Sequence, residues 1–274
     1  MVPENSILRN LPISIDAAQR LRLEALTFSS DTLSYVFSQI RSITGGYGSK
    51  IASVSLHDRI ALFSHCWTFV NELHAVGVLL TSFFKEGSGP GPNQSAFLER
   101  AKIATVLRNK ITHLNQNISN LSQAKGIHAP IFGALSYFYI GDNDYNIVDR
   151  VPVVRRGKLI TLNSGSMYFQ KTLLSFPNPL FRDIHIPVSM FQFTAFGRIL
   201  YIEEIVNELI SVLIKLDSGL DQQIRQKVEA ISIEKKVSTD CIYNAHPSNF
   251  VIELDISFDE VDELGQYTSA LKVE

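Results

Sequence analysis

Apolar residues recur three and four positions apart through most of the first half of the chain, a period that predicts helices. From Ser14 onward, Leu21, Leu23, Leu26, Phe28, Leu33, Val36, Phe37 and Ile40 keep that spacing. Ser14 is placed to cap this segment, with Asp16 and Ala17 in the first turn. Thr44-Gly45-Gly46-Tyr47-Gly48-Ser49 stops it. A second helix is expected from about Ser55 to Phe84, capped by Ser55 or Asp58 and apolar over a wide face from Leu62 to Leu80. Glu86-Gly87-Ser88-Gly89-Pro90-Gly91-Pro92 reads as a loop. A third helix, about Gln94 to Ala124, carries Phe97, Leu98, Ile103, Leu107, Ile111, Leu114, Ile118 and Leu121, and Gly126 and Pro130 end it.

After Pro130 the texture changes. Ile131–Ile140 is aromatic and β-branched and reads as a strand. Val151–Val154 and Leu159–Leu162 flank Arg155-Arg156-Gly157-Lys158, the pattern of a β-hairpin with a basic turn. Ser175 to Pro187 holds three prolines and is expected to be irregular. Met190–Phe196 is a further strand candidate, and Tyr201 to about Glu234 is a long amphipathic helix. Phe250–Phe258 reads as a last strand, followed by an acidic tail, Asp259 to Glu263. No internal repeat is visible. The expected class is mainly α: an up-and-down helical bundle over residues 1–126, joined to a smaller α+β portion over residues 127–274. The late helix of that portion is free to pack back on the bundle.

Composition narrows the picture. The chain has 274 residues, 45% hydrophobic and only 19% charged. The apolar share argues for a folded protein, and the low charge suggests apolar surface covered by a partner, most simply a second copy. A net charge of −2 excludes a global attraction to nucleic acid, so any RNA contact needs a local basic patch. Cys66 and Cys241 are far apart, and no CxxC pair suggests a disulfide framework or a zinc knuckle. The first twenty residues lack an apolar signal-peptide core. The longest apolar runs are interrupted by polar residues, so no membrane span is expected. Together these features predict a soluble, reduced, cytoplasmic protein without a metal.

One stretch concentrates chemistry: Arg108-Asn109-Lys110-Ile111-Thr112-His113, near the middle of the third expected helix. Imidazole moves protons near neutral pH, and a guanidinium holds a phosphate with a planar fork of donors. On a helix Asn109 and His113 lie side by side, so the amide of Asn109 can orient the ring. Arg108 and His113 are about 140° apart on an ideal helix. Their cooperation requires the length of the arginine and a local distortion.

Leu107-Arg108-Asn109-Lys110-Ile111-Thr112-His113 resembles the Arg-x(4–6)-His motif of the HEPN superfamily, in which a polar residue, often Asn, commonly follows the arginine. The resemblance covers the motif and its helical setting; the β-rich segment after Ile131 is not part of the basic family pattern. The resemblance implies a bundle of about four helices and a metal-independent endoribonuclease of the toxin, anti-phage or RNA-processing kind. It implies a homodimer that brings two motifs into one cleft, and no cofactor. By the same resemblance His113 would be the general acid/base, Arg108 would hold the scissile phosphate, and Asn109 would position one or the other. Products would be a 2′,3′-cyclic phosphate and a 5′-hydroxyl. Lys110, Arg155, Arg156 and Lys158 are candidate RNA contacts, and RNA and an antitoxin or regulatory protein are candidate partners. A non-catalytic nucleotide- or protein-binding dimer of the same fold stays open, as does a dimerisation module with no ligand.

Other features are weaker. Gly45-Gly46-Tyr47-Gly48-Ser49-Lys50 lacks the spacing of a phosphate loop and reads as a helix–helix turn. His65 and His74 are on opposite sides of one helix, cannot share a metal, and read as core or boundary residues. His57, His128, His185 and His246 have no ligand-spaced neighbours. The basic cluster Arg150, Arg155, Arg156 and Lys158 also fits a charged hairpin tip that blunts a sheet edge. Glu203-Glu204 suits a helix N-terminus.

Overall fold

Asp16, not Ser14, starts the first long helix: its Oδ1 accepts the backbone N–H groups of Ala18 and Gln19, both at 3.0 Å. The computed structural model describes residues 2–11, 15–48, 50, 53–86, 89–123, 130–139, 145–148, 151–154, 158–165, 188–236 and 238–239. Among them the chain runs α1 (Ala17–Tyr47), α2 (Leu56–Glu86), α3 (Pro92–Thr112), α4 (Leu114–Gln123), β1 (Ala134–Tyr139), β2 (Tyr145–Val148), β3 (Val151–Val154), β4 (Lys158–Asn163), β5 (Val188–Ala195), β6 (Arg198–Tyr201) and α5 (Ile202–Lys235). The protein is mainly helical, with a smaller antiparallel α+β portion. Among the described residues no helix is long and apolar enough to cross a membrane.

The helices form where the periodicity places them, and their ends follow local chemistry. Ser55 caps α2: its Oγ accepts the N–H of Asp58 at 3.0 Å and donates to that residue's Oδ2 at 2.7 Å. The Tyr47 hydroxyl also donates to Asp58, and these two hydrogen bonds, with His57 nearby, hold the Asp58 carboxyl below its usual range. Pro92 occupies the first position of α3, where its missing N–H costs nothing.

Helix α1 continues through Gly45 and Gly46 and stops at Gly48, whose φ of +51° favours glycine. Its inner seam of Leu23, Leu26, Leu33, Phe37 and Ile40 is buried against α2. Helix α3 packs on α2 from another side, and α5 contacts both α3 and α1, so the four long helices make the bundle. The Asp217 carboxylate of α5 ties in the 3-10 turn Ile7–Arg9, accepting from Ser6 Oγ at 2.5 Å and Ile7 N–H at 3.0 Å.

Strands β4-β1-β5-β6 form one antiparallel sheet in that order. The expected hairpin of Val151–Val154 with Leu159–Leu162 does not form. β3 pairs with β2, and β4 pairs with β1, Leu162 lying opposite Leu135 and Ile160 opposite Tyr137. That pairing buries Ile160 and Leu162, which a short hairpin on its own could not do. β6 was not expected. It follows a tight turn in which Phe196 and Gly197 both have positive φ, 49° and 69°, the geometry that matches strand twist.

The sheet is pinned to the bundle. Phe191 meets Phe37 edge-on at 5.7 Å, and Phe193 meets Trp67 edge-on at 5.4 Å. Trp67 Nε1 donates to the Phe132 carbonyl at 3.1 Å, and the buried Tyr137 hydroxyl donates to the Gly48 carbonyl at 3.1 Å. Glu203, buried in the first turn of α5, accepts the N–H of Met190, whose φ is +58°, at 2.6 Å. Strand or loop expectations for residues 175–187 and 250–263 lie outside the described residues.

Candidate functional site

The arginine of the motif lies on the flank of α3 that faces α2. The helices approach closely at Gly77 and Ala101: a Cβ built at Gly77 would be in van der Waals contact, 3.7 Å, with that of Ala101. Next to this contact runs a groove of about 320 Å³ lined by His74, Val78, Ala101, Lys102 and Thr105. Ala104 and Leu107 are buried beneath it, whereas Arg108 and Asn109, on the next turn, are exposed.

Arg108 reaches across to α2. Its Nη1 is 3.2 Å from Nε2 of His74, and Nδ1 of His74 is 2.9 Å from Thr105 Oγ1. A guanidinium only donates, so Nε2 must accept and Nδ1 carries the proton given to Thr105. Burial, then the positive charge of Arg108, lowers the His74 pKa below the ordinary imidazole value. His74 is thus neutral at pH 7. It holds one edge of the guanidinium, and among the described residues no other side chain bonds the remaining donors of the exposed Arg108, which suit an anion.

The third expected helix is interrupted at His113. Thr112 ends α3, His113 leaves helical geometry at φ −101° and ψ 43°, and α4 starts at Leu114. The Lys110 carbonyl at the break is satisfied locally: Asn117 Nδ2 donates to it at 2.7 Å and also to the His113 carbonyl at 3.0 Å, which accepts the backbone N–H of Asn117 as well. Backbone N–H of His113 donates to the Asn109 carbonyl at 3.2 Å. The expected side-chain bond from Asn109 to the His113 ring is absent among the described residues; the pair meets through backbone instead. The exposed imidazole of His113 has no hydrogen-bond partner among the described residues.

The structure therefore joins Arg108 with His74 and Thr105, and sets His113 at the mouth of a helix break without a hydrogen bond to Arg108. Lys110 is half-buried beside that break. Lys158 is exposed at the start of β4, the sheet edge opposite β6, and α3 contacts the β6 side. Arg155 and Arg156 lie outside the described residues. The sequence did not signal His74 and Thr105 as partners of the motif, because their bonds to each other and to Arg108 span 31 and 34 positions. His65, half-buried on α2, has its pKa lowered by burial alone. Cys66 is a buried free thiol, its pKa pushed far up by burial. Among the described residues no group of three or more His, Cys, Asp or Glu is placed to hold a metal ion. A larger open groove of about 700 Å³ between α1, the end of α2, the start of α3 and α5 has no histidine or cysteine among the described residues of its lining.

The class defined by these features is a helical bundle capped by a four-stranded antiparallel sheet, with a surface Arg–His–Thr chain across two helices. Compared with protein-family models, curated proteins and solved structures, the chain matches none.

Proposed function

We propose that the chain is a metal-independent endoribonuclease effector of the toxin or anti-phage type. Arg108 would bind the scissile phosphate, and His113 would move the proton. The observation that carries this reading is the Arg108 guanidinium, braced on one side by a neutral His74 and open on the other, five residues before an exposed imidazole that has left the helix. A braced guanidinium loses less freedom on meeting a phosphate and can stabilise charge that grows on it in transfer. His113, unrestrained by a partner ring bond, is free to meet a 2′-hydroxyl or a leaving oxygen. RNA is the substrate in this reading, with Lys110 on its backbone and Asn109 near the reacting groups. The protein would act as a homodimer, and an antitoxin or regulatory protein would restrain it.

A second reading has its own support. No described group orients the His113 ring, and one donor of Arg108 is already engaged, which suits a nucleotide- or protein-binding module without catalysis. The two readings separate when wild type, Arg108→Ala, His113→Ala and His74→Gln are incubated with mixed RNA in EDTA. The nuclease reading expects wild type to leave 2′,3′-cyclic phosphate ends and the first two variants to cut at least about a hundredfold more slowly, the cost of losing a charge-stabilising or proton-transferring group. His74→Gln should retain cleavage with weaker RNA binding. Wild type that cuts nothing while its melting temperature rises with nucleotide would refute catalysis and support the binder.

A further inference from the structure

The 320 Å³ groove beside the Arg108 chain continues along the bundle. Helices α2 and α3 run antiparallel there, since His74 meets Thr105 while Gly77 meets Ala101. On α2 the lining includes His74, Val78, Thr81 and Lys85, one row at spacings of four, three and four. Facing it, α3 supplies Thr105, with Arg108 one turn beyond. Among the described residues the lining holds no Asp or Glu. Lys102 on the rim is already paired with Glu99, whereas no described carboxylate pairs with Lys85.

The two hydroxyls of the groove are committed in opposite senses. Thr105 accepts the Nδ1 proton of His74, so its own proton is left to donate. Thr81 gives its proton to the Gly77 carbonyl at 2.7 Å, so its oxygen is left to accept. From Arg108 onward the groove thus presents donors, the exposed aliphatic wall of Val78, an acceptor and then a cation. A phosphodiester only accepts, whereas a ribose 2′-hydroxyl also donates. A ribose–phosphate chain matches that order; an acidic peptide brings the negative charge without the hydroxyl.

We propose that this groove is the track for a single RNA strand. The strand leads from the phosphate on Arg108 to a further phosphate on Lys85, and Thr81 accepts from a 2′-hydroxyl between them. The identity of the ligand rests on the nuclease reading; the track extends that reading to the nucleotides beyond the scissile bond. Lys85 lies eleven residues past His74, about 16 Å along the helix. With phosphates about 3.4 Å or more apart, roughly three to five nucleotides cover that length, so a dinucleotide held at Arg108 falls short of Lys85.

Fluorescence anisotropy with the full chain carrying His113→Ala, in EDTA, tests the track on a labelled ten-nucleotide RNA, the same sequence as DNA, and a dinucleotide. Adding Lys85→Ala should weaken the longer RNA several-fold and lower the slope of log affinity against log salt by about 0.7, with the dinucleotide unchanged. Adding Thr81→Val should weaken RNA several-fold and leave DNA unchanged, because only RNA carries the hydroxyl. Both side chains are exposed, so both variants should keep their melting temperature. Affinity and salt slope indifferent to Lys85→Ala, RNA and DNA weakened alike by Thr81→Val, or displacement of the RNA by an equally charged polyglutamate as readily as by RNA would each overturn the track. Cleavage by the chain with His113 intact is read separately. Cutting with an indifferent Lys85 refutes the track alone, binding through Lys85 without cutting refutes the nuclease alone, and neither binding nor cutting refutes both.

Discussion

Replacing Gly133 by alanine should damage the junction between sheet and bundle. Gly133 has a φ of +91°, and a Cβ built there comes within 2.7 and 2.8 Å of the Phe193 ring and 2.8 Å of the Thr194 carbonyl oxygen. Positive φ alone costs a residue with a side chain about 1–3 kcal/mol. The contacts add to it. Phe193 is fully buried and held edge-on by Trp67, and Thr194 is paired across the sheet with Ala134, so neither neighbour can retreat freely. Overpacking at such a site costs about 1–3 kcal/mol. The sum, about 2–6 kcal/mol, corresponds to a fall in melting temperature on the order of 10 °C.

Thermal and urea unfolding measure that loss. Trp67, the single tryptophan, reports locally through its emission because its ring lies against Phe193. The control is Gly219→Ala: this exposed glycine inside α5 has nothing within 4 Å of a built Cβ, so the change should stabilise by about 0.5–1 kcal/mol. If Gly133→Ala melts within two or three degrees of wild type with unchanged Trp67 emission, the reasoning about this junction is wrong.

Three further outcomes are expected. Tyr137→Phe should cost about 1–3 kcal/mol in urea unfolding, because the buried carbonyl of Gly48 loses its donor. Asp16→Ala should cost about 1 kcal/mol by the same assay, from two orphaned N–H groups at the start of α1. His74 and His65 both titrate below their unfolded value, so the unfolded chain binds more protons than the folded one just under pH 6.5. Their contribution to stability is complete above that pH and declines as pH falls through the lowered folded values. The slope of stability against pH between 7 and 5 should therefore shrink in His74→Gln; an unchanged slope would remove His74 from the account.

The long helices were legible because burial of one face forces a 3.6-residue rhythm on them, and Leu23, Leu26, Leu33 and Ile40 keep it without a gap. The break at His113 was hidden by the same rhythm: Ile111, Leu114 and Ile118 continue the apolar spacing across it, while the side chain that satisfies the broken turn, Asn117, acts through its amide on the carbonyls of Lys110 and His113. The partner of β4 was hidden for a different reason. Local alternation identifies a strand, but its neighbour is chosen by which faces become buried, and Ile160 and Leu162 found theirs on β1, more than twenty residues back. β6 is four residues long and follows Phe-Gly, a turn without the usual Asn or Asp, so it left no mark. In the candidate site, Arg108 and His113 stood out as residue types at a spacing. What Arg108 touches was not legible, since His74 arrives from another helix only after the bundle has assembled.

Strand β6 ends at Tyr201 and α5 begins at Ile202, with no residue between them to absorb a change in angle. The carboxylate of Glu203 clamps that joint to the neighbouring strand at Met190. The joint makes the direction of α5 follow that of the sheet. With 34 residues the helix is about 51 Å long, so a tilt of about 5° at the sheet would carry its far end roughly 4 Å. The angle that the sheet sets at this joint thereby fixes where the helix meets the 3-10 turn through Asp217.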